Sequence, residues 1–155
     1  MPVSPTSRAL LFDVFGTCVD WRNTVVSVLQ SLAHKSLNSA TASLASRLRL
    51  RVSTMTENDW GKFAQEWRDG YKVFTKQLAA DTSIPWMSVD EHYLRSLKQL
   101  ISEWELDGLW ADDEIHALSL TWHRLSPWED SVEGVRLLNT RFGQSILFSQ
   151  YGEAH

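Results

Sequence analysis

The sequence predicts an α/β chain that is mostly helical, with an incomplete parallel-sheet core interrupted by an inserted helical bundle. Three observations carry this. A short apolar run at 9–12 ends in the carboxylate of Asp13 and a glycine turn at Gly16, the pattern of a buried strand leading into a helix. A second run, Ser145-Ile146-Leu147-Phe148-Ser149, has the composition of another buried strand. Between them lie three amphipathic helical patterns with no strand among them, which make a bundle. A doubly wound sheet needs several parallel strands covered on both faces, and two strands leave such a core unfinished.

The elements follow in order. Residues 21–33 read as a helix, with Trp21, Val25, Val28, Leu29 and Leu32 at helical spacing and Asp20 as N-cap. Residues 34–47, rich in Ser, Ala and Thr, read as a linker or weak helix and place the first domain boundary. Trp60, Phe63, Ala64, Trp67, Tyr71, Phe74 and Leu78 form one continuous apolar stripe, opened by Thr56 and Asp59. Ile84-Pro85-Trp86 breaks the chain, and Ser88 with Glu91 caps the next helix, whose apolar face is Val89, Tyr93, Leu97, Leu100, Ile101 and Trp104. A third helix, opened by Asp112 or Asp113, carries Ile115, Leu118, Trp122 and Leu125 and ends at Pro127. A shorter helix then starts at Asp130 or Ser131, with Val132, Val135, Leu138 and Phe142 facing inward.

Composition narrows the function classes. With 155 residues, 43% of them apolar and 22% charged, the balance is that of a folded soluble domain. A net charge of −4 gives no basic footprint for nucleic acid. No apolar run approaches the ~20 residues of a membrane span, and the N-terminal stretch lacks the regions of a signal peptide. The single cysteine, Cys18, excludes an internal disulfide and fits a reducing compartment, so a cytoplasmic location is expected. Most of the eight tryptophans fall in helices or at their ends, where they fill a core or form a subunit contact. His92, His116 and His123 lie on separate patterns without ligand spacing.

The carboxylate Asp13 stands where an open α/β sheet binds ligands, just past the end of a strand, and a turn former or cap is the alternative role. Phe12-Asp13-Val14-Phe15-Gly16-Thr17, followed by Val19-Asp20-Trp21-Arg22, resembles the first motif of the haloacid dehalogenase superfamily in its 2-haloacid dehalogenase (type II) branch. The stretch from Trp122 to Gly134 resembles the segment that returns from that branch's cap domain. The resemblance runs in order from about residue 8 to about residue 149, with a weak patch at 34–56.

What the resemblance implies is specific. The core would be Rossmann-like and built from 1–33 and 127–155, with 34–126 as the helical cap. Asp13 would be the nucleophile and Thr17 its hydrogen-bonding neighbour. Phe15, Arg22 and Ser149 would meet the substrate, a small 2-haloacid or related carboxylate. Arg22 is the choice for gripping halide or carboxylate, with Arg68 and the arginines at 47, 49 and 51 as alternatives. Superfamily phosphatases carry a second carboxylate two residues after the nucleophile. Phe15 occupies that position and cannot protonate a leaving alkoxide. Halide needs no proton to leave, so no metal or cofactor is implied.

The chain also departs from the family. Gln150-Tyr151-Gly152 follows Ser149 in place of the usual residues, and the family's later lysine and acidic motifs have no counterpart. The expectation is a C-terminally truncated homologue with little or no turnover. Two other readings stay open: a non-catalytic module that forms a homodimer through its Trp-rich helices, and a phosphatase of the same superfamily.

Overall fold

Residues 10–40, 43–142 and 145–148 are described by the computed structural model. In chain order they form β1 (Leu10–Asp13), α1 (Trp21–Asn38), α2 (Ser46–Thr54), α3 (Glu57–Ala80), α4 (Val89–Glu103), α5 (Asp112–Ser119), a 3-10 turn (Leu120–His123), α6 (Ser131–Phe142) and β2 (Ser145–Phe148). The chain divides into two compact units. One takes in the chain up to Trp21 and from Leu125 onward, and the other is Arg22–Arg124.

The first unit holds the strands. β1 pairs in parallel with β2, Leu10 opposite Ser145 and Asp13 opposite Phe148. Side chains alternate along β1, so Leu10 and Phe12 are half-buried while Leu11 and Asp13 face outward. The apolar run 9–12 was expected to be buried throughout. Instead Leu11 is 63% exposed, because alternation turns it away from Leu10 and Phe12. On α6, Val132 was expected inward and is also exposed, whereas Val135 and Leu138 are partly covered. The side chain of Phe142 lies outside the described residues.

The helical unit is built on aromatic packing. The stripe read from 60 to 78 becomes α3, which buries Trp60, Phe63, Ala64, Trp67 and Tyr71. Both expected N-terminal caps are present: Thr56 with Asp59 opens α3, and Ser88 with Glu91 opens α4. Each satisfies backbone N–H groups that the first helical turn leaves unpaired. Trp67 is fully buried, and its indole N–H donates to the carbonyl of Tyr93 at 3.0 Å. The ring of Trp122 meets Trp67 edge-on at 5.2 Å and stacks on Tyr93 at 4.8 Å. Aromatic pairs in these arrangements add attraction beyond the area they bury. Five of the eight tryptophans (21, 60, 67, 110 and 122) are buried, so core filling accounts for most of the excess.

Three differences from the sequence expectation have physical reasons. The helix expected over 21–33 runs unbroken to Asn38. Lys35 in the last turn of α1 complements the negative end of its dipole and meets Glu114 at 3.2 Å. Part of the expected linker belongs to α2, which buries only Leu48 and Val52, one turn apart. The third bundle helix is shorter than read: α5 ends at Ser119 and the chain tightens into the 3-10 turn. Trp122 therefore sits in that turn, and Leu125 lies beyond it.

His92 stacks on Phe74 at 4.4 Å and sits half-buried among Tyr71 and Tyr93. Burial is the main cause that lowers its pKa below the usual 6.5, helped by the positive charge of Arg95 and opposed by a hydrogen bond to the Gly70 backbone. The unfolded chain therefore takes up this proton more readily than the folded one. Stability from His92 is full above about pH 6.5 and declines as the pH falls below it. Melting curves from pH 7.5 to 5 should show that decline, and His92→Phe should flatten it. Trp67→Ala should destabilise the unit by about 3–5 kcal/mol in denaturant titration. Trp86→Ala, on a side chain 80% exposed, should stay within about 0.5 kcal/mol of the parent.

Candidate active site

Asp13 ends β1 with its side chain exposed, at the carboxyl edge of the strand pair. The chain then folds into a tight turn. The N–H of Gly16 donates to the carbonyl of Val19 at 3.1 Å, and the N–H groups of Cys18 and Val19 both donate to the carbonyl of Val14, at 2.9 and 3.1 Å. Gly16 holds φ at +90°, a region closed to most side chains, although a Cβ there would meet nothing nearer than 3.8 Å. Conformation, not space, requires the glycine.

The turn brings Thr17 back over the carboxylate. Its Oγ1 donates to Asp13 Oδ2 at 3.2 Å, while Oδ1 accepts no hydrogen bond among the described residues. The thiol of Cys18 donates to the main-chain carbonyl of Asp13 at 3.3 Å. Among the described residues, one carboxylate oxygen is thus held and the other accepts no hydrogen bond. Phe15 is half-buried within the same turn. Among the described residues, no three His, Cys, Asp or Glu side chains converge where a metal ion could be held.

The turn is also fastened from a distant part of the chain. Val19 pairs antiparallel with Pro127, the Asp20 N–H donates to the Ser126 carbonyl at 2.8 Å, and the Trp128 N–H donates to the Cys18 carbonyl at 3.2 Å. The Trp128 indole N–H donates to the Gly16 carbonyl at 3.2 Å. The sequence reading noted residues 122–134 but gave Trp128 and Cys18 no part in the site. An aromatic just after Pro127, the residue expected to stop a helix, was the available signal.

Of the expected site residues, Asp13, Phe15 and Thr17 come together in this turn. Arg22 belongs to the helical unit, where its Nη1 donates to Gln65 Oε1 at 3.4 Å and its guanidinium lies against Gly61. The alternative arginines are engaged within the same unit. Arg47 pairs with Glu105 at 2.7 Å, Arg49 donates to the Leu37 carbonyl, and Arg51 donates to the Trp104 carbonyl and lies over the Trp104 ring. Arg68 is half-buried on α3. Ser149, the residue after the end of β2, lies outside the described residues.

No protein-family model matches this sequence, and no curated protein matches it. Solved structures do. A defluorinating L-2-haloacid dehalogenase superposes with a TM-score of 0.69 over 98% of this chain and 56% of its own, at 24% identity. The fold resembles that of the L-2-haloacid dehalogenases. A second L-2-haloacid dehalogenase gives the same TM-score of 0.69, at 26% identity, over 94% of this chain and 53% of its own. The chain therefore spans little more than half the length of the dehalogenases it resembles. No helix among the described residues is long and apolar enough to cross a membrane.

Because Gly16 is fixed by its backbone angle, Gly16→Ala should cost about 1–2 kcal/mol without any steric clash. Urea unfolding measures that loss directly.

Proposed function

We propose that Asp13 is the nucleophile of a hydrolase that converts a small 2-haloalkanoic acid into the 2-hydroxy acid. The observation that carries the reading is the Asp13 carboxylate at a strand end, exposed, with one oxygen held by Thr17 and the other open among the described residues. The resemblance to L-2-haloacid dehalogenases supports it, since the match extends over almost all of this chain.

In the proposed reaction, the open oxygen of Asp13 attacks the carbon bearing the halogen. A carbon–oxygen bond forms as the carbon–halogen bond breaks, and halide leaves with the bonding pair. Water then hydrolyses the ester, returning the Asp13 carboxylate and releasing the 2-hydroxy acid and a proton. The Thr17 hydroxyl fixes the orientation of the carboxylate, which keeps the attacking oxygen in line. Phe15 presents an apolar ring two residues beyond the nucleophile, where phosphoester chemistry would need an acid to protonate the leaving oxygen. Dehalogenation has no such need. For the substrate carboxylate and the departing halide, Ser149 and Arg22 remain the proposed contacts. The helical unit is proposed to act as the cap of such an enzyme.

The test is chloride release from racemic 2-chloropropionate by the 155-residue chain beside its Asp13→Asn variant. Whatever release the parent shows should fall in the variant by at least about a thousandfold, since removing a nucleophile leaves only binding and orientation. Equal release by both proteins would remove Asp13 from the chemistry. No release by a folded sample would favour the non-catalytic reading for this chain.

A further inference from the structure

We infer that Trp128 is a positioning residue for Asp13, acting through the turn that presents the carboxylate. The inference rests on the reading of Asp13 as nucleophile. It begins from how differently the two ends of the turn are held. At residues 18–20 the fastening includes main-chain bonds to Ser126, Pro127 and the Trp128 N–H. At the apex, Gly16, the hydrogen bond from the returning segment among the described residues is the Trp128 indole N–H on the Gly16 carbonyl. Gly16 lies immediately before Thr17, whose hydroxyl holds the carboxylate.

The apex is where the turn is most easily deformed. Glycine has the widest choice of backbone angles, and the hydrogen bonds inside the turn do not engage the Gly16 carbonyl. Rotation of the 16–17 peptide would swing the Thr17 hydroxyl away from Oδ2 and free the carboxylate to turn. The indole bond opposes that rotation, because it fixes the carbonyl of the same peptide. Trp128 differs here from the core tryptophans. Its side chain is 40% exposed, against 7% or less for the buried tryptophans, and its indole N–H has a defined partner. Trp128→Phe therefore removes the bond and keeps most of the ring, with all the backbone bonds at 18–20 left in place.

Cys18, the single cysteine of the chain, lies inside the turn and reports its opening without any need for turnover. In the closed turn its thiol is half-buried and engaged on the Asp13 carbonyl. In Trp128→Phe, labelling of Cys18 by a small thiol reagent under native conditions should speed up about fivefold, the worth of one lost hydrogen bond in a local opening equilibrium. Trp128→His, which puts an N–H donor back on the ring, should recover part of the protection. Trp86→Phe, in the helical unit, should label at the parent rate.

In chloride release, Trp128→Phe should lower kcat by about fivefold to tenfold and leave KM within about twofold, because aiming the nucleophile matters in the transition state and not in binding. Parent-rate labelling in Trp128→Phe would overturn the inference. So would faster labelling matched by an equal rise in global unfolding, since that would make Trp128 a general stabiliser. Should the parent chain release no chloride, the proposed reaction fails for this chain by that result alone. The labelling rates then decide separately whether the indole holds the turn.

Discussion

The short antiparallel pairing of residues 18–20 with residues 126–128 is the constraint on which the rest of the structure depends. It ties the outgoing chain to the returning chain at the base of a loop of roughly a hundred residues, whose closure entropy grows only slowly with length. Its bonds include the Asp20 N–H on Ser126, the Trp128 N–H on Cys18, and the bridge of Val19 with Pro127. They also set the exit of the turn that carries Asp13, Thr17 and Gly16. One small patch of backbone thus sets both the exit of the turn and how the carboxylate is displayed.

The two units stabilise themselves by different means. The helical unit has a dense interior of Phe63, Trp67, Tyr93, Leu97, Leu106 and Leu118, closed at its helix starts by reciprocal caps. Two of its indoles have defined partners: the Trp67 N–H donates to the Tyr93 carbonyl, and the Trp104 N–H donates to Glu66 at 2.7 Å. The strand-bearing unit shows apolar side chains instead, with Leu11, Val132 and Leu137 all more than half exposed. Parallel strands are ordinarily covered on both faces, so this surface contrasts with the closed interior of the helices.

Much of this was legible in the sequence because the signals were local. The apolar run ending at Asp13 and Gly16 marked β1 and its turn. The stripe from Trp60 to Leu78 and the caps at Thr56 and Ser88 marked α3 and α4, since spacing and capping act within one or two helical turns. α2 was missed because two apolar positions among serines and arginines leave almost no periodic signal. The end of α5 was overrun because Ile115, Leu118 and Trp122 keep helical spacing while the chain tightens to 3-10. In the site, Thr17 was legible as a neighbour of Asp13 four residues away. The bond from Trp128 to Gly16 spans 112 residues and depends on a pairing that no local pattern encodes. Arg22 follows the turn closely in sequence, yet its guanidinium is directed to Gly61 and Gln65 of α3, a placement set by helix packing.

The side-by-side attachment at Asp20 and Ser126 also has an evolutionary meaning. A segment whose two ends leave the same short ladder can be lengthened, remodelled or exchanged without redirecting the chain on either side. The residues around Asp13 and those between 22 and 124 are thereby free to change at different rates. A lineage could keep one chemistry at the turn while selecting new surfaces on the helices, with the hundred intervening residues acting as an interchangeable module.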